Sequence, residues 1–286
     1  MNKSTLIIDC NNMAYRALHT TGTLDNGIVY GFLKQILTFA REFKSNRFIF
    51  CWDSKMSYRK DVEPTYKLRP PKSEEQIEEL TEAFAQFKQL RREILPSLGF
   101  KNIFCQPKYE ADDLIAHVVQ RFPADYIIIS GDEDLYQLLT THKKYEVKIY
   151  QPIKKRIVTY DDFVQEYKIT PSEWAKVKAL GGCSSDHVIG IEGVGEKTAI
   201  KYLRNELNPG KVYDRIEDQK KEMTRRNYPL VCLPFAGDRP INITEIKYEE
   251  LMVGDFMDTF QRLEFISLLS EEAFSDWEEA FQLLAF

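Results

Sequence analysis

Histidine is scarce in this chain: four residues, at positions 19, 117, 142 and 187, none spaced as a zinc ligand pair, which excludes a histidine-built zinc centre. The five cysteines are odd in number and irregularly placed, with no CxxC pair, so a disulfide framework is excluded and a reducing compartment fits. Cys10, Cys51 and Cys105 read as small core residues. No apolar run approaches the length that spans a bilayer, and MNKSTLIIDC passes into a strand-like run without a signal-peptide pattern. A cytoplasmic protein with no membrane partner is expected. Internal repeats and low-complexity tracts are absent. A surplus of positive charge is also missing, since the net charge is -5. That value argues against a uniformly basic nucleic-acid surface, but a net value hides where the charges lie.

What remains is an ordinary apolar and charged balance, 43% and 29% of 286 residues, enough to bury a core in one or two domains. STLIIDC, RFIFCWD and YIIISGDED read as buried strands that each end in an acid, and KNIFCQP as a fourth. Between them GIVYGFLKQILTFAREFK, EQIEELTEAFAQFKQLRREILPSLG and YEADDLIAHVVQRF repeat apolar residues at three and four. Alternating strands and helices predict an α/β fold with a mainly parallel central sheet and flanking helices. Past about residue 165 strand signals fade and helix signals such as TPSEWAKVKALGG and KTAIKYLRNEL take over, so a core over 1–165 and a mostly helical region over 166–286 are expected. Residues 229–247 read as loop, and Met252 to Phe286 as helical.

In a parallel sheet, sites gather at the carboxyl ends of strands. Asp9, Asp53 and Asp132 stand there, with Glu110, Asp112, Asp113, Asp134 and Asp186 near helix starts. Singly, each has a plainer reading as a helix cap or a partner of the helix dipole. Converging, they would repel strongly without cations. Oxygen donors select hard ions, so two Mg²⁺ or Mn²⁺ ions, roughly 3.5 to 4 Å apart, are expected, the arrangement used for phosphodiester hydrolysis.

GIEGVGEKT is neither a P-loop, because Glu196 separates Gly195 from Lys197, nor a dinucleotide fingerprint, because the third glycine would fall at Thr198. A tight hairpin between two helices remains, either a simple connector or a place where backbone amides hold a phosphate. Gly193, Gly195, Lys197, Thr198 and Lys201 are its candidate DNA contacts, followed by the basic residues Arg204, Lys211, Arg215, Lys220, Lys221, Arg225 and Arg226. In SYRKDVEPTYKLRPPK, Arg59, Lys67 and Arg69 interleave with Tyr58 and Tyr66, a composition suited to a single strand beside the acids: cations for phosphates and rings for stacking.

LIIDCNNMAYRA, FCWDS, RKDVEPTYK, YEADDLIA, ISGDEDLYQLL and SSDHVIGIEGVGEKTA follow one another over residues 5 to 204. In this order they resemble the 5′-nucleases, or flap endonucleases, of bacteriophages and of the amino-terminal domain of bacterial DNA polymerase I. The resemblance implies a PIN-like nuclease core, a helical arch over about 64–95 and a helix-hairpin-helix element that holds K⁺ against duplex phosphates. It implies flap cleavage and 5′-to-3′ exonuclease activity on branched or nicked duplexes and RNA primer–DNA hybrids, by a monomer of phage or bacterial type beside a replicative polymerase. It assigns the eight acids to metal binding and Lys67 and Arg69 to catalysis, although Arg69 follows the lysine by two residues where the family has three. The family's G-D-x-x-D-N loop reads here Gly182, Cys183, Ser184, Ser185, Asp186, His187, so Cys183 stands where a metal-binding aspartate is expected. A thiol is a poor Mg²⁺ ligand, so weaker Mg²⁺ binding and better tolerance of Mn²⁺ are expected at the second ion. Two other readings remain: a branched-DNA binder that cleaves poorly, and a single-strand ribonuclease with a related acidic sheet.

Overall fold

The computed structural model describes residues 4–22, 25–142, 144–249, 251–270 and 275. Seven strands form one sheet: β1 (Thr5–Asp9), β2 (Phe48–Cys51), β3 (Ile103–Phe104), β4 (Tyr126–Ile129), β5 (Thr140–His142), β6 (Tyr145–Gln151) and β7 (Arg156–Val158). The order is β3-β2-β1-β4-β6-β5, with β7 also on β6. Pairings among β3, β2, β1, β4 and β6 are all parallel, whereas β5 and β7 run antiparallel to β6. The α/β, mainly parallel expectation therefore holds, with an antiparallel edge added. Its two strands have three residues each, too few to carry the continuous apolar signal of the buried strands.

The helices are α1 (Cys10–Thr21), α2 (Gly27–Phe43), α3 (Tyr58–Val62), α4 (Glu74–Gln89), α5 (Leu95–Ser97), α6 (Ala111–Arg121), α7 (Tyr160–Tyr167), α8 (Trp174–Gly181), α9 (Glu196–Leu203), α10 (Lys211–Val231) and α11 (Val253–Arg262). Successive strand side chains point to opposite faces, and helices cover both. Leu6, Ile8, Phe48, Phe50 and Ile129 pack with α1, α2, α4 and α11. Ile7, Ile49, Ile128, Val147 and Ile149 pack with α6 and with Trp174, Ile200 and Ile216 from α8, α9 and α10. Each fully buried side chain of this kind contributes about 1.5–3 kcal/mol. Residues after 165 thus build both faces of the core. Cys10 and Cys51 are buried as expected, and Cys105 is half-buried.

Residues 63–73 are turn and extended chain, and α4 begins only at Glu74, where Ser73 and Gln76 form a reciprocal cap. The first half of α4 stands exposed. Its second half is anchored: Ala83 and Phe87 are buried, Tyr15 meets the ring of Phe87 edge-on at 5.2 Å, and Gln86 Oε1 accepts from the Ile28 amide at 3.0 Å. The helix expected over EQIEELTEAFAQFKQLRREILPSLG widens to a π-turn at Leu90–Ile94 before α5. Pro96 has no N–H to offer that turn. Of the stretch read as helical from Met252 onward, α11 and a short 3-10 turn at Ile266–Leu268 are observed, and residues 271–274 and 276–286 lie outside the described residues.

Candidate metal centre

Parallel pairing of β1, β2 and β4 brings Asp9, Asp53 and Asp132 to one edge of the sheet. Asp9 caps α1 through its bond from the Asn12 amide, and Ser130 Oγ donates to its other oxygen at 2.7 Å. Asp53 accepts the Ala111 amide at 2.8 Å, tying the end of β2 to the start of α6, while its own amide donates to Asn11. Asp132 caps the 3-10 turn Glu133–Leu138. Burial and the neighbouring Asp53 push Asp9 up to about 7, and burial with Asp134 pushes Asp132 up to about 6. Asp112, half-buried on α6, is raised by burial and by Asp132 and Asp9. These shifts describe negative charges converging with too little positive charge among the described residues to balance them.

Glu110, at the mouth of α6, differs because it has partners. Lys67 Nζ and Ser57 Oγ donate to its two oxygens at 2.7 and 2.6 Å, and the Tyr66 hydroxyl donates to it at 3.3 Å. Burial opposes its charge, but Lys67 and Arg59 hold the carboxyl below its ordinary value. Burial likewise opposes the Lys67 charge and is outweighed by Glu110 and Asp186, so the ammonium persists. The Lys67 amide donates to the Asp186 carbonyl at 2.9 Å, which lays the 63–73 segment across the acids.

Three sequence expectations need correction. Asp113, expected with the metal acids, is fully buried and makes a two-bond pair with Arg59 at 2.7 and 2.8 Å; it also accepts the amides of Glu110 and Phe235. Asp112 and Asp113 are adjacent on α6, and the helix turns the second away from the edge. Arg59, expected to meet DNA, is buried and also donates to the Leu230 carbonyl at 2.8 Å. Tyr66, expected as a stacking ring, is buried too, with its hydroxyl on Glu110 and Asp186. Arg69 is exposed on the loop beyond Lys67.

Asp134, Cys183 and Asp186 form a second group whose ligand atoms lie within 4.8 Å of one another. Lys178 Nζ reaches Asp134 at 3.2 Å and Glu196 at 3.7 Å, and Lys67 Nζ lies 3.9 Å from Asp186. Burial raises both Asp186 and the Cys183 thiol, whose Sγ meets Ser185 Oγ at 3.0 Å. The first group, all carboxylate with raised protonation, fits a hard divalent cation that Asp9, Asp53, Asp112 and Asp132 would hold, with Glu110 alongside. The second group fits Mg²⁺ less well, because one of its three donors is a neutral thiol.

The hairpin's glycines have separate reasons. Gly190 lies where a Cβ would meet the Gly181 carbonyl carbon at 2.3 Å and the Gly182 nitrogen at 2.4 Å, so two backbones cross there without side chains. Gly193 has φ +78°, which a side chain disfavours. Gly195 faces open space at the start of α9, beside exposed Lys197 and Lys201 and half-buried Thr198. The basic segment beyond is partly neutralised, with Arg204 paired to Glu206, Arg215 to Glu192, Lys220 to Glu217 and Arg226 to Glu63. Lys211, Lys221 and Arg225 are exposed with no acidic partner among the described residues.

The sequence reading missed Asn11, Asn12, Ser57, Ser130, Lys178 and Gly190. Five of these lie inside the quoted motifs, where the acids, the arginines and the hairpin glycines drew the reading; Lys178 had no signal, being one lysine among many on a helix.

Residues 4–168 match the family model described as the 5′-3′ exonuclease, N-terminal resolvase-like domain. The chain belongs to the 5′-3′ exonuclease family. Across 71% of its length this family member is 34% identical to a 5′-3′ exonuclease of Bacillus subtilis, 70% of which it covers. All of it aligns at 28% identity with DNA polymerase I of Bacillus caldotenax, of which it spans only 34%. Two solved bacteriophage T5 structures share the fold over 81% of the chain: a 5′-exonuclease with divalent metal ions (zinc), at 22% identity and TM-score 0.68 over 90% of that chain, and a flap endonuclease with DNA and metal ions, at 21% and 0.67 over 89%. No helix among the described residues is long and apolar enough to cross a membrane.

Proposed function

We propose that the protein is a structure-selective 5′-nuclease, cleaving 5′ flaps and degrading nicked or primed duplexes from the 5′ end, RNA primers included, with two divalent ions, Mg²⁺ or Mn²⁺. The observation that carries this reading is the crowding of Asp9, Asp53, Asp112 and Asp132 at the sheet edge, with their protonation raised, beneath the charged Lys67. When bound, the ions supply an activated water and neutralise charge on the phosphoryl group. Lys67 then has one task the acids cannot perform: a fixed positive charge beside the scissile phosphate. Arg69 is exposed two residues further along the loop, available to the same strand. The amides around Gly193 and Gly195, with Lys197, Thr198 and Lys201, hold duplex phosphates without reading sequence, with K⁺ shared there.

The proposal extends to a monomer in which residues 1–165 carry the nuclease chemistry and residues 166–286, besides completing the core, carry the DNA-binding surface, working in the cytoplasm of a bacterial or phage-infected cell beside a replicative polymerase. Single-turnover cleavage of a 5′-labelled flap duplex in Mg²⁺ or Mn²⁺ tests it. Cleavage about one nucleotide into the duplex is expected, and a product pattern indifferent to the branch would defeat structure selectivity. Cys183 favours one second reading, a branched-DNA binder of low activity; tight flap binding with negligible cleavage in both ions would select it.

A further inference from the structure

We propose that Asp134, Cys183 and Asp186 form a mixed sulfur–oxygen site that selects a thiophilic divalent ion, of the Zn²⁺, Co²⁺ or Cd²⁺ type, over Mg²⁺. The inference rests on reading the acids as a metal-dependent nuclease centre and departs from it at the second ion.

The donor set does not suit Mg²⁺. Its three ligand atoms lie within 4.8 Å of one another, close enough for one ion, yet one of them is sulfur. Mg²⁺ takes oxygen ligands and keeps much of its water, whereas sulfur favours softer ions such as Zn²⁺. Two carboxylates and a thiolate also leave a four-coordinate ion one open position, the arrangement of catalytic rather than closed structural sites.

Cys183 is held for this role rather than stranded. Its backbone pairs in both directions with Val188, at 2.8 and 2.9 Å, and it is buried in a small apolar cluster with Tyr66, Ala175, Ala179 and Leu230. The Sγ makes its hydrogen bond to the neutral Ser185 hydroxyl, a partner that an ion can displace. The thiol proton leaves to solvent as the metal–sulfur bond forms. Lys178 beside Asp134 and Lys67 beside Asp186 offset part of the remaining negative charge.

The test uses full-length protein titrated with Cd²⁺ or Co²⁺ while the thiolate-to-metal charge-transfer absorption is followed. One equivalent should produce the band in the native protein and not in Cys183→Ser. Zn²⁺ affinity by calorimetry should fall at least about tenfold in Cys183→Ser, and Mg²⁺ affinity should rise in Cys183→Asp. Alkylation of Cys183 in the native protein, mapped by mass spectrometry, should be blocked by Zn²⁺ and not by Mg²⁺, a readout that needs no variant to fold. A band unchanged in Cys183→Ser, or equal alkylation in both ions, overturns the inference. If the band is missing while Mn²⁺ still binds and Asp53→Asn weakens it, the mixed site fails and the nuclease reading stands. If no divalent ion binds, both fail.

Discussion

The guanidinium of Arg59 and the carboxylate of Asp113 face one another through two bonds of 2.7 and 2.8 Å, sealed from water between α3 and α6. Removing one partner strands a buried charge, so Asp113→Ala should destabilise the protein by about 3–5 kcal/mol in a urea titration. The neighbouring Asp112→Asn should cost little stability without metal and should weaken divalent binding instead. Equal destabilisation by the two variants would contradict the division of labour between these adjacent acids.

Lys67 donates to Glu110 from a loop position with φ +49°. Lys67→Ala should slow single-turnover flap cleavage by about 10²–10³-fold, the scale of losing one fixed electrostatic contact to a transition state. Flap affinity, read by fluorescence anisotropy, should change far less. A variant that loses affinity and rate in equal measure would make Lys67 a binding residue only.

Chelated protein should lose stability as pH rises. Asp9 and Asp132 have folded values pushed up to about 7 and about 6 from an ordinary 3.8, so the folded state holds more protons between those limits. Their contribution is fully present below about pH 4 and is lost as pH climbs through 6 and 7. Glu110 has the opposite sign, but its depressed value acts below 4.5 and so does not enter a comparison between pH 5.5 and pH 8. The Tm in EDTA should therefore be lower at pH 8 than at pH 5.5, and Mg²⁺ or Mn²⁺ should restore it at pH 8. A Tm that rises with pH in EDTA would argue against a crowded, uncompensated cluster.

Gly190→Ala should disturb the hairpin, because the new methyl falls 2.3 Å from the Gly181 carbonyl carbon, a backbone atom with no rotamer to yield. A cost of about 1–3 kcal/mol is expected, with reduced duplex affinity. Gly195→Ala, facing open space, should leave stability within about 0.5 kcal/mol. Hydrogen exchange over residues 181–200 distinguishes them.

Much of the site was legible because motifs and topology reinforce each other. Buried apolar runs ending in Asp9 and near Asp53 and Asp132 specify both a parallel sheet and a shared edge for their acids. Strands β5, β6 and β7 were not read: β5 and β7 have three residues each, too few for a pattern, and β6 carries Glu146 and Lys148 inside its apolar run. Nor was the π-turn before α5, where only the position of Pro96 hinted at an interrupted ladder.

By itself, the sequence determined the fold class, the family and the chemical type of each candidate ligand, including sulfur at Cys183, because these follow from residue identity and short-range periodicity. Only the tertiary structure decided which charges are free to act. Asp112 and Asp113 are indistinguishable as letters, and so are Arg59 and Arg69. Burial and partner distance separate them: Arg59 and Asp113 neutralise one another inside the protein, while Asp112 stays at the acidic edge and Arg69 in solvent. Those are long-range relations, set by how α3 packs against α6, and no local pattern encodes them.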